Sequence, residues 1–382
     1  MIFKMNSGVY ITRISKFLPN RPVLNDAMED YLGRVNHTPS KARKIILKSN
    51  GIKSRYYALA KDGNSTHSNA QLTANAVLSL FDASFAPENI QLLACGTSTP
   101  DQLLPSHASM VHGLIKGGEM ELYASSGSCC CGIQALKTGY MSVLSGNTTN
   151  AVCTASERIS KRLQAKYYEE ESKSYSELNQ NPYIAFEKDF LRWMLSDGAG
   201  AVLLESQPKE DISLKIEWIE MTSFAHEFES CMYAGCEKDS CGNLTGWYEF
   251  EPDEWLDKSL LAVKQDVKLL RKYIVPLGIK FLKQVIKKRG LNISNIKYFL
   301  PHLSSHFFKD ILIDGLEEAD INLPKSKWFT NLSRIGNIGS ASTILILEEL
   351  FNSKTLKKGE QILLSTPESA RFSYAYTLLT VV

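Results

Sequence analysis

The sequence predicts an α/β protein in which one order of elements occurs twice. Three observations carry this. Short apolar runs such as Gln91 to Cys95 and Ile296 to Leu300 have the length and composition of buried strands. Each run ends in a polar loop. A segment with apolar residues at helical spacing then follows. The two halves span 1–222 and 223–382, divided near the irregular stretch Phe224 to Asp253. They share no visible identity, so the repetition rests on element order alone.

Val9 to Phe17 reads as a strand and Leu18-Pro19-Asn20-Arg21-Pro22 as a turn. Asp26 to Leu32 is a short helix. Lys41 to Lys48 is rich in basic residues and is read as a solvated face in preference to a docking patch for an acidic carrier. Gln71 to Phe81 is helical. The strand Gln91 to Cys95 runs into Gly96-Thr97-Ser98-Thr99-Pro100-Asp101, a loop suited to lining a site. His107 to Ile115 is a helix and Met120 to Tyr123 a short strand. Ile133, Leu136, Tyr140, Val143 and Leu144 then mark one helix face.

Thr149 to Ser156 is the next strand, with Glu157 at its end. Lys161 to Asn181 is polar and reads as a mobile connection or lid, and Phe186 to Leu195 as a helix. Asp197-Gly198-Ala199-Gly200-Ala201 turns into an apolar strand, and Ile212 to Met221 is another. Phe224 to Asp253, rich in Cys, Gly and aromatics, is expected to wall a binding pocket. Glu254 to Arg289 carries a long helical pattern with a break expected at Pro276-Leu277-Gly278. Strand 296–300 leads to Pro301-His302, and Phe307 to Leu316 is a helix. Leu332 to Gly339 is a loop holding Gly336-Asn337, and Ser340 to Phe351 a helix. Gln361 to Ser365 and Phe372 to Thr380 close the chain as strands.

Composition narrows the function classes. The formal net charge is +2, which predicts neither a nucleic-acid groove nor a membrane-binding surface. There is no 18-residue apolar run and no signal-peptide layout at Met1-Ile2-Phe3-Lys4, so the expected location is cytoplasmic. Eight cysteines, three of them adjacent, do not form a disulfide framework and are expected to be reduced. Cys231, Cys236 and Cys241 invite a metal reading. Their spacing is unlike paired zinc ligands and the nearby histidine is His226, so an irregular insertion is favoured and no metal is expected.

The chemistry centres on Ser125-Ser126-Gly127-Ser128-Cys129-Cys130-Cys131-Gly132. A cysteine stands where a strand turns into a helix N-terminus, whose free N–H groups and dipole are expected to lower a thiol pKa. A cysteine cluster also fills tight space, so the position needs partners. His302 and Asn337 supply them, each at the C-terminal end of a strand or in the turn before a helix, where open α/β sheets bind ligands. A Cys–His–Asn set suits thioester chemistry: the thiolate takes an acyl group, and His and Asn N–H groups stabilise the enolate of a second thioester.

At these residues the sequence resembles the thiolase superfamily, and within it the type III β-ketoacyl-acyl-carrier-protein synthases. The resemblance runs through Gly51-Ile52-Lys53-Ser54-Arg55, the cysteine helix, Asp197-Gly198-Ala199-Gly200-Ala201, Pro301-His302, Gly336-Asn337 and Arg371-Phe372-Ser373-Tyr374-Ala375. It implies a thiolase-like fold, two similar halves in a layered α-β-α-β-α arrangement. It also implies a homodimer and no redox cofactor. Ala135 and Leu136, six and seven residues after Cys129, select Cys129 as nucleophile. Matching Gly132 to the glycine of a Cys-Ala-Gly pattern selects Cys130, which stays as the alternative.

Departures from the family pattern bear on substrate. The Trp and Arg that often hold the adenine of coenzyme A fall near Ile45 and Ser49, which favours acyl-carrier-protein thioesters over coenzyme A thioesters. The C-terminal glycine run is Ser369-Ala370-Arg371 here. A backbone N–H near Ala370 is expected to join the Cys129 N–H in an oxyanion hole, and Arg371 to bind a carboxylate or β-keto oxygen. With Gly96 to Asp101 and Ser156-Glu157-Arg158, these features look most like ketosynthases of dialkylresorcinol pathways. Such an enzyme joins an acyl and a β-ketoacyl thioester and closes a cyclohexanedione ring. Glu157 is then expected to act as a base or orienting group near Cys129, the competing reading being an ion pair. Two further readings remain: a decarboxylative initiation synthase of fatty-acid synthesis, and a non-catalytic acyl-binding partner subunit.

Overall fold

The computed structural model describes residues 7–40, 43–168 and 191–382. Nine strands form one mixed sheet: β1 (Tyr10–Phe17), β2 (Leu92–Thr97), β3 (Glu121–Ser126), β4 (Asn150–Glu157), β5 (Gly198–Glu205), β6 (Leu214–Ser223), β7 (Ile296–Pro301), β8 (Gln361–Glu368) and β9 (Ser373–Val381). Their order is β7-β8-β9-β6-β1-β5-β4-β2-β3. β1 and β6 meet antiparallel at the centre, and β6, which the sequence division at 222 leaves in the first half, heads the route of the second. On each side the last strand of the half lies next, antiparallel to the first. The strand before it follows, parallel to the strand outside it: β4 to β2, and β8 to β7. The repeated element order is thus a repeated route through the sheet.

Alternation along the strands builds the layers, because successive side chains point to opposite faces. Leu92 and Ala94 of β2, Ala151, Cys153 and Ala155 of β4, Ile362 and Leu364 of β8, and Ala375 and Leu379 of β9 share one core. That core also holds Cys130, Ile133 and Leu136 of helix α3 (Cys131–Ser145) and Ile344 to Leu347 of helix α6 (Ser342–Phe351). The two helices therefore lie between the inner faces of both halves. Leu93, Cys95 and Val152 point the other way, onto helices α1 (Asn69–Leu78) and α2 (His107–Ile115). Leu363, Tyr374 and Tyr376 point onto helices α4 (Val267–Arg289) and α5 (Phe307–Glu318). The result is the layered α/β arrangement.

Close approach explains two glycines. A Cβ on Gly132 would stand 2.5 Å from the Ser340 carbonyl oxygen and 2.7 Å from Ala155 Cβ. A Cβ on Gly96 would strike the backbone at Cys131. The first turn of α3 is therefore pressed onto β2, β4 and the loop before α6. Gly278 of α4 is also tight, its Cβ position lying 3.1 Å from Tyr374 Cε1.

Several expectations shift. Glu254 to Arg289 is not one helix: Glu254–Asp257 is a single turn, Lys264–Gln265 pairs as a short strand, and α4 starts at Val267. Asp266 sets that start, its side chain accepting the N–H groups of Lys268 and Leu269. The helix continues through Pro276, where the Tyr374 and Tyr376 hydroxyls donate to the carbonyls of Ile274 and Gly278. Arg43–Asn50 is helical, with Lys44 and Lys48 exposed and Arg43 paired with Glu29 at 2.9 Å. Most of the expected lid, and half of the expected helix at 186–195, lie outside the described residues. Among the described residues, no helix is long and apolar enough to cross a membrane.

Candidate active site

The chain leaves β3 at Ser126 and turns through Gly127 to Cys130 before α3 begins. Within the triplet the thiols face different ways. Cys130 and Cys131 are fully buried, and Cys130 Sγ donates to the Thr366 carbonyl at 3.2 Å. Cys129 is the one whose side chain lines a cavity of about 70 Å³. Ser98, Glu157, Ser304, Asn337 and Ser369 line it too, with Met232 of the irregular insertion and Val263 and Gln265 beyond it as one wall. Of the stretch Phe224 to Asp253 that was expected to wall a pocket, Met232 lines this cavity.

Asn337 is fixed by its backbone and its amide oxygen. Its N–H donates to the Met194 carbonyl at 3.1 Å, and its carbonyl accepts the Ser196 N–H at 2.8 Å. Its Oδ1 accepts the Gly339 N–H at 3.0 Å and the Ser342 hydroxyl at 3.4 Å. Those donors identify the oxygen end of the carboxamide and leave the Nδ2 amino group for the cavity.

His302 follows β7, its N–H extending the pairing with β8 by donating to the Ser365 carbonyl at 2.8 Å. Its ring lines an adjoining apolar cavity with Ile274, Val275, Phe308, Leu312 and Tyr374. Ser304 borders both cavities, so the two spaces abut. Nδ1 of His302 is buried without a hydrogen-bond partner among the described residues. Burial pushes the imidazole down to about 4, so the ring is neutral near pH 7.

Glu157 ends β4 beside the same cavity. Its carboxylate accepts the Ser98 hydroxyl and the Thr99 hydroxyl at 2.7 Å each, the Ser98 N–H at 3.2 Å and the Ser340 N–H at 3.3 Å. Hydroxyls and amides hold it, in place of an ion pair, and burial raises its pKa against their pull. The segments Gly96 to Asp101 and Ser156 to Arg158 are thereby joined, and the Arg158–Asp101 ion pair at 2.9 Å closes the junction.

Two expectations change here. The helix N-terminus does not leave a low-pKa thiol: burial first, then the charge of Glu368, pushes Cys129 up to about 12. The Glu368 carboxylate, Oε2, accepts the N–H of Ser128 at 3.2 Å and of Cys130 at 3.0 Å, the donors expected to favour a thiolate. Arg371 is exposed, donates Nε to the Phe228 carbonyl at 2.9 Å and is not among the cavity's lining residues. The Ala370 carbonyl accepts the N–H groups of Cys231 and Met232, at 2.8 and 3.3 Å, tying the loop to the insertion while Ser369 faces the cavity.

Known proteins match this chain in sequence and in fold. The family described as 3-oxoacyl-[acyl-carrier-protein] synthase III, C-terminal, matches residues 286–379. The β-ketoacyl-[acyl-carrier-protein] synthase III of Clostridium perfringens strain SM101 is 24% identical over 91% of this chain and 92% of its own. That of Clostridium acetobutylicum is 24% identical over 94% of both. The chain is thus similar along nearly its whole length to the thiolase-like type III ketosynthases. Among solved structures, AbyA1, a tetronic acid condensing enzyme, superposes with a TM-score of 0.75 at 19% identity, covering 97% of this chain and 99% of AbyA1. A Cys-to-Ser variant of Xanthomonas campestris OleA with bound lauric acid and lauroyl-CoA gives 0.72 at 17% identity over 99% of both chains. These similarities support a condensing acyltransferase whose chemistry is the Claisen condensation.

Proposed function

We propose that this ketosynthase loads an acyl chain on Cys129 and condenses it with a β-ketoacyl thioester, followed by ring closure toward a cyclohexanedione, the precursor of a dialkylresorcinol. The observation that carries the reading is the pair of abutting cavities. One has Cys129 and the Asn337 amide, the other has His302 in an apolar lining, and Ser304 borders both. In this reading acylation transfers the acyl carbonyl from a carrier thiol to Sγ, and the carrier thiol leaves. The Glu157 carboxylate then takes the α-proton of the second thioester, and the enolate oxygen is stabilised by the Asn337 Nδ2–H and the His302 ring N–H; the enolate carbon bonds to the acyl carbonyl carbon as the C–Sγ bond breaks, and Cys129 recovers the proton from Glu157. The Cys129 N–H serves the acyl oxygen, because the N–H groups on either side of it are taken by Glu368. The donor is a carrier-protein thioester, in keeping with the names of the curated relatives, and a coenzyme A thioester is the alternative source.

The partner subunit is a second copy. β3 closes one end of the sheet and is paired on one side alone, and its residues are largely exposed. Tyr123 of that strand and Met141 of α3, which border one surface groove, are 45 and 57% exposed, and Leu103 and Leu104 of the loop before α2 are 66 and 85% exposed. An open edge strand next to an apolar patch is the surface that a two-fold pairing buries.

Product analysis tests the function. Acyl, β-ketoacyl and malonyl thioesters, each on carrier protein and on coenzyme A, are incubated with the enzyme and the products resolved by mass. A cyclohexanedione without release of carbon dioxide from a malonyl thioester supports the reading. Carbon dioxide release with a linear β-ketoacyl product assigns the decarboxylative initiation reaction instead, the reading favoured by the curated relatives' names.

A further inference from the structure

We infer that Glu368 is a positioning residue that holds Cys129 as a thiol by occupying the backbone N–H groups on either side of it, so that the nucleophile forms only within the acylation step. The inference rests on Cys129 as the acylated residue. A cysteine at a helix start is ordinarily activated because free N–H groups point at its sulfur. Here the N–H groups on either side of it point elsewhere, and the sulfur keeps the Ser128 hydroxyl at 3.7 Å and the Cys129 N–H. Ser128 N–H and Cys130 N–H both donate to one oxygen of Glu368, a residue of β8 that reaches the start of α3 from the opposite half of the chain. The carboxylate is buried, and the Ser373 side chain is its third donor.

Among the described residues, the groups facing the thiol give it no compensating cation. From its own helix come the buried thiols of Cys130 and Cys131. From β4 comes Glu157, from β8 Glu368, and beyond the adjoining cavity lies the neutral ring of His302. Tyr374 of β9 faces Cys130 with its own ionisation suppressed by burial. Arg162 interacts with Glu157, and neither carboxylate forms an ion pair among the described residues. An ionised Cys129 would place a third negative charge among these groups, in accord with the direction in which its pKa moves. In acylation the Sγ–H bond breaks as the Sγ–C bond forms, and the departing carrier thiol carries the proton, so the exchange is neutral overall.

The test is the pH profile of Cys129 alkylation by iodoacetamide, followed by intact mass and localised by fragmentation. In the wild-type enzyme the rate should still be rising above pH 9. Glu368→Gln keeps an oxygen for the two N–H groups but removes the charge, so its profile should move to lower pH. The rate at fixed pH should then rise about tenfold per unit of that movement. Glu157→Gln should move the profile less. A purely structural role for Glu368 would scale the rate at every pH and leave the midpoint in place. A wild-type profile that levels off below pH 8.5 overturns the inference, even if Glu368→Gln does not fold. So does a Glu368→Gln profile whose midpoint matches the wild type. Labelling of Cys130 in place of Cys129 overturns the nucleophile assignment and this inference with it. Labelling of Cys129 with an unmoved profile overturns the inference about Glu368 alone.

Discussion

Asn337 works through which end of its carboxamide is tethered. Because the Gly339 N–H and Ser342 hydroxyl hold Oδ1, Asn337→Ala removes the cavity's amide donor while leaving the turn. The expected outcome is a fall in kcat on the order of 100-fold with KM little changed, read by steady-state kinetics of condensation. A loss confined to KM would place Asn337 in ground-state binding. A second residue-scale prediction concerns His107, the first residue of α2, whose Nε2 lies 3.1 Å from the Thr73 hydroxyl and 3.2 Å from that of Ser156. Burial pushes it down to about 4 from the ordinary 6.5. As pH falls, the unfolded chain takes up this proton before the folded one, so stability declines from pH 6.5 toward 4. Between pH 7.5 and 5 the decline should be about 2 kcal/mol. Urea unfolding of His107→Gln should lack that contribution, and an undiminished pH dependence would contradict it. Cys129, His302, Asn337 and Glu157 were legible because each stands at a strand end or in a turn before a helix. Glu368 was not. Its strand reads from sequence as ending at Ser365, whereas β8 runs on to Glu368, which pairs with Ser373.

At the scale of elements, the start of α3 is what brings the halves to one site. Gly132 is in contact with both β4 and the loop of the second half that precedes α6. Gly132→Ala should therefore cost about 1–3 kcal/mol in stability. It should also lower acylation and condensation together, since it moves the helix carrying Cys129 against the loop following Asn337. Denaturant unfolding and single-turnover kinetics check this, and an unchanged midpoint would contradict the tight contact. Where apolar spacing was unambiguous, as in His107–Ile115, sequence and structure agree to the residue. The pattern misled in two kinds of place. Apolar residues at helical spacing persist across the short strand Lys264–Gln265, hiding the start of α4. In β3 the small residues Ala124-Ser125-Ser126 carry little strand propensity, so the strand looks half its length.

At the scale of the molecule, the repeated route through one sheet puts β4 and its Glu157 in the first half opposite β8 and its Glu368 in the second. The cysteine turn lies between them. The repetition was legible as element order, and the continuity of the sheet through β1 and β6 was not, since nothing local encodes which strands meet. Pairing of two copies along β3 predicts that Leu104→Asp converts a dimer to a monomer in sedimentation velocity. A wild-type monomer at micromolar concentration would contradict that proposal. The central claim is that Cys129 carries the acyl group. Its most direct test is intact-mass spectrometry after incubation with an acyl-carrier-protein thioester, with fragmentation of the peptide that spans the cysteine triplet. The account predicts an acyl adduct on Cys129 that disappears in Cys129→Ala. An adduct on Cys130, or a Cys129→Ala enzyme acylated as the wild type is, would contradict it.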